Sequence, residues 1–263
     1  MSYYPSKSDL KPLGAICLDY TDDIHRPPGD PLNEESFSFP LVHEMVSNAT
    51  LWKIVQSEPY TDEFLQYFVD ACEKLAEKGA IGIITSCGFL AQVQKRLSSK
   101  ISLPLASSSL LQIPQILCIR PENEHVGVIT FDESVLSDVH FDGVGITSIM
   151  RKRINVIGVP ENGALRGVIR DGKPYIHEEL KLEMIQCAIE LIARNHQIKV
   201  IVLECTQMPP FARAIQEVVR LPVYDVITMI DWFYSGLNCR SIPEDKNKEA
   251  GLRKRLRSGK EKK

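Results

Sequence analysis

Two cysteines of this chain each follow a strand-like apolar run. The first, Cys87, lies near the end of the stretch GAIGIITSCGF at residues 79–89, and a helical-looking segment follows at residues 90–97. Short β-branched runs are typical of strands buried in parallel sheets, and ligands bind at the edge where such strands end. A helix N-terminus there would lower the pKa of the thiol. Taken alone, Cys87 also fits an inert core thiol.

The second cysteine repeats this arrangement. Cys205 follows the run KVIVLE and precedes a helix that is expected to begin near Pro209. Cys87 and Cys205 lie 118 residues apart, and so do the Leu-Pro strands at residues 103–105 and 221–223. A fixed offset over a complete unit indicates duplication of a domain. We therefore expect two α/β lobes that face each other across a cleft, each with a cysteine at its ligand edge.

Two facing thiols are suited to racemisation. One thiolate removes a proton from the α-carbon, and the other group, as a thiol, returns a proton to the opposite face. The hydroxyls of Thr85, Ser86 and Thr206 could hold a carboxylate or carbonyl beside the thiols, or could simply cap helices. Arg26, on a proline- and glycine-rich turn within the polar segment 21–40, could pair with a substrate carboxylate, or could be a surface residue.

The remaining pattern alternates strands with helices. We expect further strands at residues 13–18, 101–106, 125–131, 155–159, 200–203 and 221–226, with residues 49–55 a strand or its neighbour. Helices are expected over residues 61–78, 107–118, 133–141, 178–195 and 227–237, and residues 163–173 are expected to form a glycine-containing loop.

The two cysteine motifs resemble those of the aspartate/glutamate/hydantoin racemase superfamily. Its motifs of the type Cys-Asn-Thr and Gly-Cys-Thr correspond to Thr85–Gly88 and to residues 204–209, and the resemblance spans about residues 13–237. It implies an α/β fold of two pseudo-symmetric, flavodoxin-like, three-layer lobes with parallel sheets and a cleft between them. It also implies a cofactor-independent two-cysteine site and a last helix that packs back on the first lobe. The polar ligand loops implied by the resemblance begin at Asp19-Tyr20 and at Thr130.

The domain organisation follows from the repeat. We expect a first lobe at residues 1–120 carrying Cys87, with residues 226–240 packed on it, and a second lobe at residues 121–225 carrying Cys205. The substrate-binding set is then predicted to be Asp19, Tyr20, Arg26, Thr85, Ser86, Gly88, Thr130 and Thr206.

The motifs also depart from the family pattern. Gly88 follows the first cysteine where the family has asparagine, Glu204 precedes the second where it has glycine, and Gln207 replaces the histidine of glutamate racemases. The preferred prediction is a racemase of an amino acid or hydantoin. A decarboxylase, a cis–trans isomerase of a dicarboxylic acid and a non-catalytic binding protein remain open as alternatives.

Composition excludes several other classes. Residues 246–263 carry a net charge of +7, which leaves −10 on the first 245 residues, and an acidic body does not suit nucleic-acid binding. Residues 241–263 are expected to be a disordered basic tail. The seven scattered cysteines, the apolar-poor N-terminus and the lack of a spanning run favour a reducing, cytoplasmic location without membrane association. We expect no metal or cofactor, a small carboxylate or hydantoin as ligand, and leave a homo-oligomer open.

Overall fold

A computed structural model of the chain describes residues 6–20 and 24–240. These residues form two α/β lobes, each built on a four-stranded parallel sheet with helices packed on it. The expected fold of two similar lobes is therefore confirmed. The predicted basic tail, residues 241–263, lies outside the described residues.

The first lobe is organised around its first strand. In chain order it contains β1 (Leu13–Leu18), β2 (Leu41–Val46), α1 (Leu51–Ile54), α2 (Asp62–Glu77), β3 (Ile83–Thr85), α3 (Gln94–Ser98), β4 (Leu105–Ala106) and α4 (Ile113–Cys118). The sheet order is β2-β1-β3-β4. All six residues of β1 are buried, as a central parallel strand covered on both faces requires.

The second lobe repeats this topology. It contains β5 (His125–Thr130), α5 (Asp138–Gly143), α6 (Ser148–Arg151), β6 (Ile154–Gly158), α7 (Ala164–Asp171), α8 (His177–Arg194), β7 (Ile198–Leu203), α9 (Ala212–Val219), β8 (Val223–Tyr224) and α10 (Val226–Leu237). Its sheet order, β6-β5-β7-β8, matches that of the first lobe strand for strand.

The offset of 118 residues also relates the strands of the two lobes. Adding it to β3 gives residues 201–203, the last three residues of β7, and adding it to β4 gives β8. The two cysteine motifs thus leave equivalent strands at equivalent positions. This register is what brings both thiols to the carboxyl edges of their sheets.

Helix α10 joins the second lobe to the first. Its residues Val226, Met229 and Ile230 are buried in a cluster with strand β1, and the Tyr234 hydroxyl donates a hydrogen bond of 2.9 Å to the Lys11 carbonyl. The helix begins at an Asp225 cap that accepts from the Thr228 N–H at 2.9 Å. The C-terminal end of the described chain therefore stabilises the first lobe.

Several expected elements are corrected. Residues 49–55 form no strand, because Leu51–Ile54 is a helical turn, and strand β2 lies earlier in the chain. Residues 163–173 are not a loop but contain α7, whose first N–H groups are capped by the Glu183 carboxylate of α8. The helix expected over 133–141 begins later and runs from Asp138 to Gly143. Only the last two residues of the strand expected over 101–106 form a strand. Within the described ranges, no helix is both long enough and apolar enough to cross a membrane.

Candidate active site

The two cysteines lie in matching turns. The Cys87 carbonyl accepts from the Leu90 N–H at 3.1 Å, and the Cys205 carbonyl accepts from the Met208 N–H at 3.1 Å. In each turn the N–H two residues after the cysteine, Phe89 or Gln207, donates to the cysteine sulfur. Both turns continue as short 3-10 segments rather than α-helices. The duplication therefore preserves the local geometry of both thiols.

Both thiols line one small cleft between the lobes. The space between its walls, counted together with the open solvent at its mouth, is about 370 Å³, and most of the walls are apolar or aromatic. The lining residues are Tyr20, Ile24, Arg26, Leu51, Val55, Ser86, Cys87, Gly88, Phe89, Phe131, Ile169, Glu204, Cys205, Thr206 and Gln207. The two cysteine motifs thus contribute to a single cleft.

Burial makes both thiols weaker acids than a free cysteine. It raises the pKa of Cys87 to about 12, with the negative charge of Glu204 as the next cause. The pKa of Cys205 is raised well above its usual range, by burial and then by Glu204. The expectation of thiols activated by a helix N-terminus is therefore wrong for the free site, because desolvation exceeds the local hydrogen bonds.

The surroundings nevertheless distinguish the two cysteines. Cys87 receives a hydrogen bond from the Tyr20 hydroxyl and lies near the Arg26 guanidinium, and both lower its pKa. Cys205 faces the carboxylate of Asp30, which raises its pKa further. Burial and the neighbouring Cys87 raise the pKa of Tyr20, so its phenol stays protonated and able to donate. Cys87 is therefore the thiol that ionises more readily.

The two cysteine turns interlock across the cleft. The Thr206 hydroxyl donates a hydrogen bond of 2.7 Å to the Ser86 carbonyl. Glu204 lies directly over Gly88, where a Cβ would stand 2.7 Å from its Cδ and closer still to its carbonyl oxygen. Below the site, the Ser109 hydroxyl donates to the Leu203 carbonyl at 2.7 Å. Each lobe therefore fixes the backbone of the other at the site.

Glu204 is a buried carboxyl group at the centre of this contact. Only 1% of it is exposed, and its Oε2 accepts a hydrogen bond of 2.8 Å from the Thr130 hydroxyl. Burial raises the pKa of Glu204 to about 7, while the bonds from Thr130 and from the Phe131 N–H oppose that rise. Glu204 therefore gains or loses its proton near neutral pH, whereas the pKa values of both thiols lie well above neutrality.

A loop of the first lobe closes the cleft from the other side. Arg26 forms an ion pair of 3.0 Å with Asp30, whose other oxygen accepts from the Leu32 N–H at 2.8 Å. The Gln207 amide of the second lobe also donates to Asp30. Because Asp30 is fully buried, the pair holds the Arg26 guanidinium at the mouth of the site.

The predicted substrate-binding residues divide into two groups. Tyr20, Arg26, Ser86, Gly88 and Thr206 line the cleft with the cysteines. The other three lie outside its lining, and each has a structural partner. Asp19 accepts from the Asn48 N–H at 3.1 Å, the Thr85 hydroxyl donates to the Ser107 carbonyl at 2.5 Å, and Thr130 holds Glu204.

Sequence reasoning missed the two buried carboxyl groups of the site. Glu204 stands out only as a charged residue directly before the second cysteine, and we interpreted it merely as a departure from the family pattern. Asp30 and Gln207 meet through a contact across 177 positions of the chain, which no local pattern indicates.

In the described part of the chain, no group of three or more His, Cys, Asp or Glu side chains is arranged to hold a metal ion.

Comparison of the whole fold identifies its structural relatives. Unliganded arylmalonate decarboxylase aligns with a TM-score of 0.54 at 12% identity, covering 89% of this chain and 96% of that one. Glutamate racemase from Campylobacter jejuni aligns at 0.52 and 11% identity, covering 89% of each chain. An aspartate racemase homologue from Pyrococcus horikoshii aligns at 0.50 and 16% identity, covering 86% and 98%.

The chain shares the fold of these decarboxylase and racemase structures. The fold implied by the resemblance of the two cysteine motifs is thereby confirmed. Because the structural identities are so low, this likeness describes architecture and leaves the reaction to be argued from the site. No protein-family model matches the sequence.

Sequence comparison points to a different reaction within this fold. A dimethylsulfoniopropionate lyase of Durusdinium sp. clade D is 29% identical over 234 residues, which are 85% of this chain and 74% of that protein. Dimethylsulfoniopropionate lyase 6 of Emiliania huxleyi is 28% identical over 243 residues, 88% of this chain but 61% of the lyase. The chain thus spans less than two thirds of the second relative's length. These relatives are lyases, whereas our preferred prediction was a racemase.

Proposed function

We propose that this protein is a lyase that eliminates a sulfonium group from the β-carbon of a small carboxylate, with dimethylsulfoniopropionate as its first candidate substrate. The observation that carries the proposal is the joint placement of Cys87, Cys205 and Arg26 in one apolar cleft. The similarity to dimethylsulfoniopropionate lyases over 85% and 88% of the chain supports elimination as the reaction.

The reaction needs one base. A Cys87 thiolate removes the proton from the carbon next to the carboxylate, forming an S–H bond. The electrons of that C–H bond form a carbon–carbon double bond, and the carbon–sulfur bond breaks with its electron pair left on sulfur. The products are acrylate and dimethyl sulfide, and the site later returns one proton to water. Cys87 is the better base candidate because Tyr20 and Arg26 both favour its thiolate.

Arg26 is suited to hold the substrate carboxylate. Removal of the α-proton spreads negative charge onto the carboxylate oxygens, and a fixed guanidinium stabilises that charge more in the transition state than in the ground state. The buried ion pair with Asp30 keeps the guanidinium in place before substrate binds.

The apolar walls suit a methylated sulfonium. Such a cation has no hydrogen to donate, so it binds best against aromatic and aliphatic side chains. Tyr20, Phe89 and Phe131 supply rings in the cleft lining.

The test is release of dimethyl sulfide by the purified protein. Gas chromatography of the headspace above dimethylsulfoniopropionate should detect the sulfide, and proton NMR should show acrylate in equal amount. Cys87→Ser should abolish release, whereas Cys118→Ser, at an exposed thiol, should leave it unchanged. Absence of sulfide from the wild-type protein, or full activity of Cys87→Ser, would refute the assignment.

Racemisation is the second candidate, because both thiols line the same cleft. It requires a proton donor and an acceptor on opposite faces, so each single serine variant should lose it completely. Circular dichroism across amino acids, 5-substituted hydantoins and 2-aryl acids tests it directly. Loss of optical activity from any of these, without sulfide release from the sulfonium, would favour a racemase over a lyase.

A further inference from the structure

The buried carboxyl group of Glu204 has one oxygen that the fold does not use. Oε2 accepts from Thr130, but Oε1 is sealed from solvent and has no hydrogen-bond partner among the described residues. Leaving a buried acceptor unmet is costly, by about 1–3 kcal/mol and more for a charged group. Such an oxygen at the lining of a cleft indicates a role in the chemistry of the site.

Glu204 contacts both cysteine turns. It directly precedes Cys205 in the chain, and its carboxyl packs on Gly88, the residue directly after Cys87. After burial, its charge is the largest influence on both thiols. In a desolvated site, two neighbouring negative charges repel each other strongly, so a thiolate and the Glu204 carboxylate exclude one another.

We propose that Glu204 and the cysteine thiols hold one proton between them, so that a thiolate forms while Glu204 is protonated. The thiol gives its proton to water and the Glu204 carboxylate takes one from water, so that the site keeps a single negative charge. After the thiolate has taken the substrate proton, the Glu204 carboxyl loses its own proton to water and the site is restored. The inference rests on the thiols' role as bases given above, and Glu204 acts through them without touching substrate.

Other charged and titratable groups face this cluster. Burial, and then the charges of Cys87 and Glu204, raise the pKa of Tyr60, so its phenol stays protonated. Tyr20 and Arg26 favour the Cys87 thiolate, whereas Asp30 opposes the Cys205 thiolate. None of them replaces Glu204 as a partner for the proton, because the phenols and the guanidinium are already protonated and Asp30 is held by Arg26.

The test is the pH dependence of thiol alkylation, which needs no substrate. Iodoacetamide reacts with the thiolate, and peptide mass spectrometry can follow Cys87 and Cys205 separately. The two forms with a shared proton contain equal numbers of protons, so their ratio does not depend on pH. In the wild-type protein the alkylation rate should therefore rise tenfold per pH unit up to about pH 7, where Glu204 ionises, and then stay level.

Glu204→Gln removes the shared proton site while keeping the side-chain shape and an acceptor for Thr130. Its alkylation rate should continue to rise above pH 7 and exceed the wild-type rate about 100-fold at pH 9, because each pH unit is worth a factor of ten in thiolate. A role limited to packing would not change the pH profile in this way.

Thr130→Val provides a second variant of matched shape. It removes the hydrogen bond that lowers the pKa of Glu204, so the level region should begin at a higher pH. Alkylation of the exposed Cys118 should be the same in all three proteins, which controls for unfolding. A wild-type rate that rises through pH 9 like that of Glu204→Gln would overturn the proposal. Because no sulfonium substrate is present, this result is independent of whether dimethyl sulfide is released.

Discussion

The hydroxyl of Thr206 donates a hydrogen bond of 2.7 Å to the carbonyl of Ser86, and so joins the residue after one cysteine to the residue before the other. The side chain of Thr206 is buried, and its bond spans 120 positions of the chain. The two cysteine turns are thus held in register by a contact between lobes.

Thr206→Val should weaken the contact that holds the two cysteine turns in register. The Ser86 carbonyl would lose its partner in a buried place, so we expect a loss of about 1–3 kcal/mol in the free energy of unfolding and a fall in kcat greater than any change in KM. Urea denaturation and steady-state kinetics measure the two effects. Thr50→Val is the matched control, because the Thr50 side chain makes no capping bond. Equal behaviour of the two variants would contradict the prediction.

Gly88→Ala should be poorly tolerated. The added Cβ would overlap the Glu204 side chain and its backbone carbonyl, and the backbone cannot move aside as a flexible side chain can. We expect a destabilisation of about 1–3 kcal/mol together with loss of activity. Gly236→Ala, in helix α10 with nothing within 4 Å of its Cβ position, should be neutral or stabilising by up to about 1 kcal/mol. Thermal unfolding of both variants tests these two expectations.

Arg26→Met should weaken both substrate binding and the fold. It leaves the carboxylate of Asp30 buried without its cation, which typically costs about 3–5 kcal/mol. Adding Asp30→Asn removes that charge, so the double variant should recover much of the stability but none of the affinity for the substrate carboxylate. Urea denaturation and KM separate the two roles. A double variant with the wild-type KM would show that Arg26 does not bind the substrate carboxylate.

Glu204 should lower the stability of the protein as pH rises from about 4.5 to about 7. Burial raises its pKa from an ordinary value of 4.5 to about 7. A carboxyl with a raised pKa contributes its full stability below its unfolded pKa and loses it as pH rises through its folded pKa. Glu204→Gln should therefore match the wild type near pH 4 and exceed it at pH 8, on the order of 3 kcal/mol at 1.36 kcal/mol per pKa unit. Urea denaturation at both pH values tests this, and a constant difference would contradict it.

Local patterns predicted the elements nearest the cysteines and failed where partners are distant. Strands β3 and β7 were predictable because parallel strands covered on both faces are apolar throughout. Strand β2 was not, since it lies at the sheet edge and carries Glu44, which pairs with lysines of α2. Helix α7 was not, because its cap comes from Glu183, 19 positions further along the chain.

The candidate site was also predictable only in part. The spacing of Cys87 and Cys205 placed both thiols in one cleft, since duplication fixes equivalent positions. Their acidity was predicted in the wrong direction, because burial and the carboxylate of Glu204 depend on how the lobes meet. The pair of thiols does not by itself decide between racemisation and elimination, because removal of an α-proton begins both.

The contact between Gly88 and Glu204 also bears on how this site evolved. In the family pattern the first cysteine is followed by asparagine and the second is preceded by glycine, whereas here the larger residue stands before the second cysteine and the glycine after the first. The space between the turns admits one side chain, which here is that of Glu204. A substitution at either position alone would leave a clash or a void, so the two positions are expected to covary among homologues, and ancestral reconstructions should show them changing together.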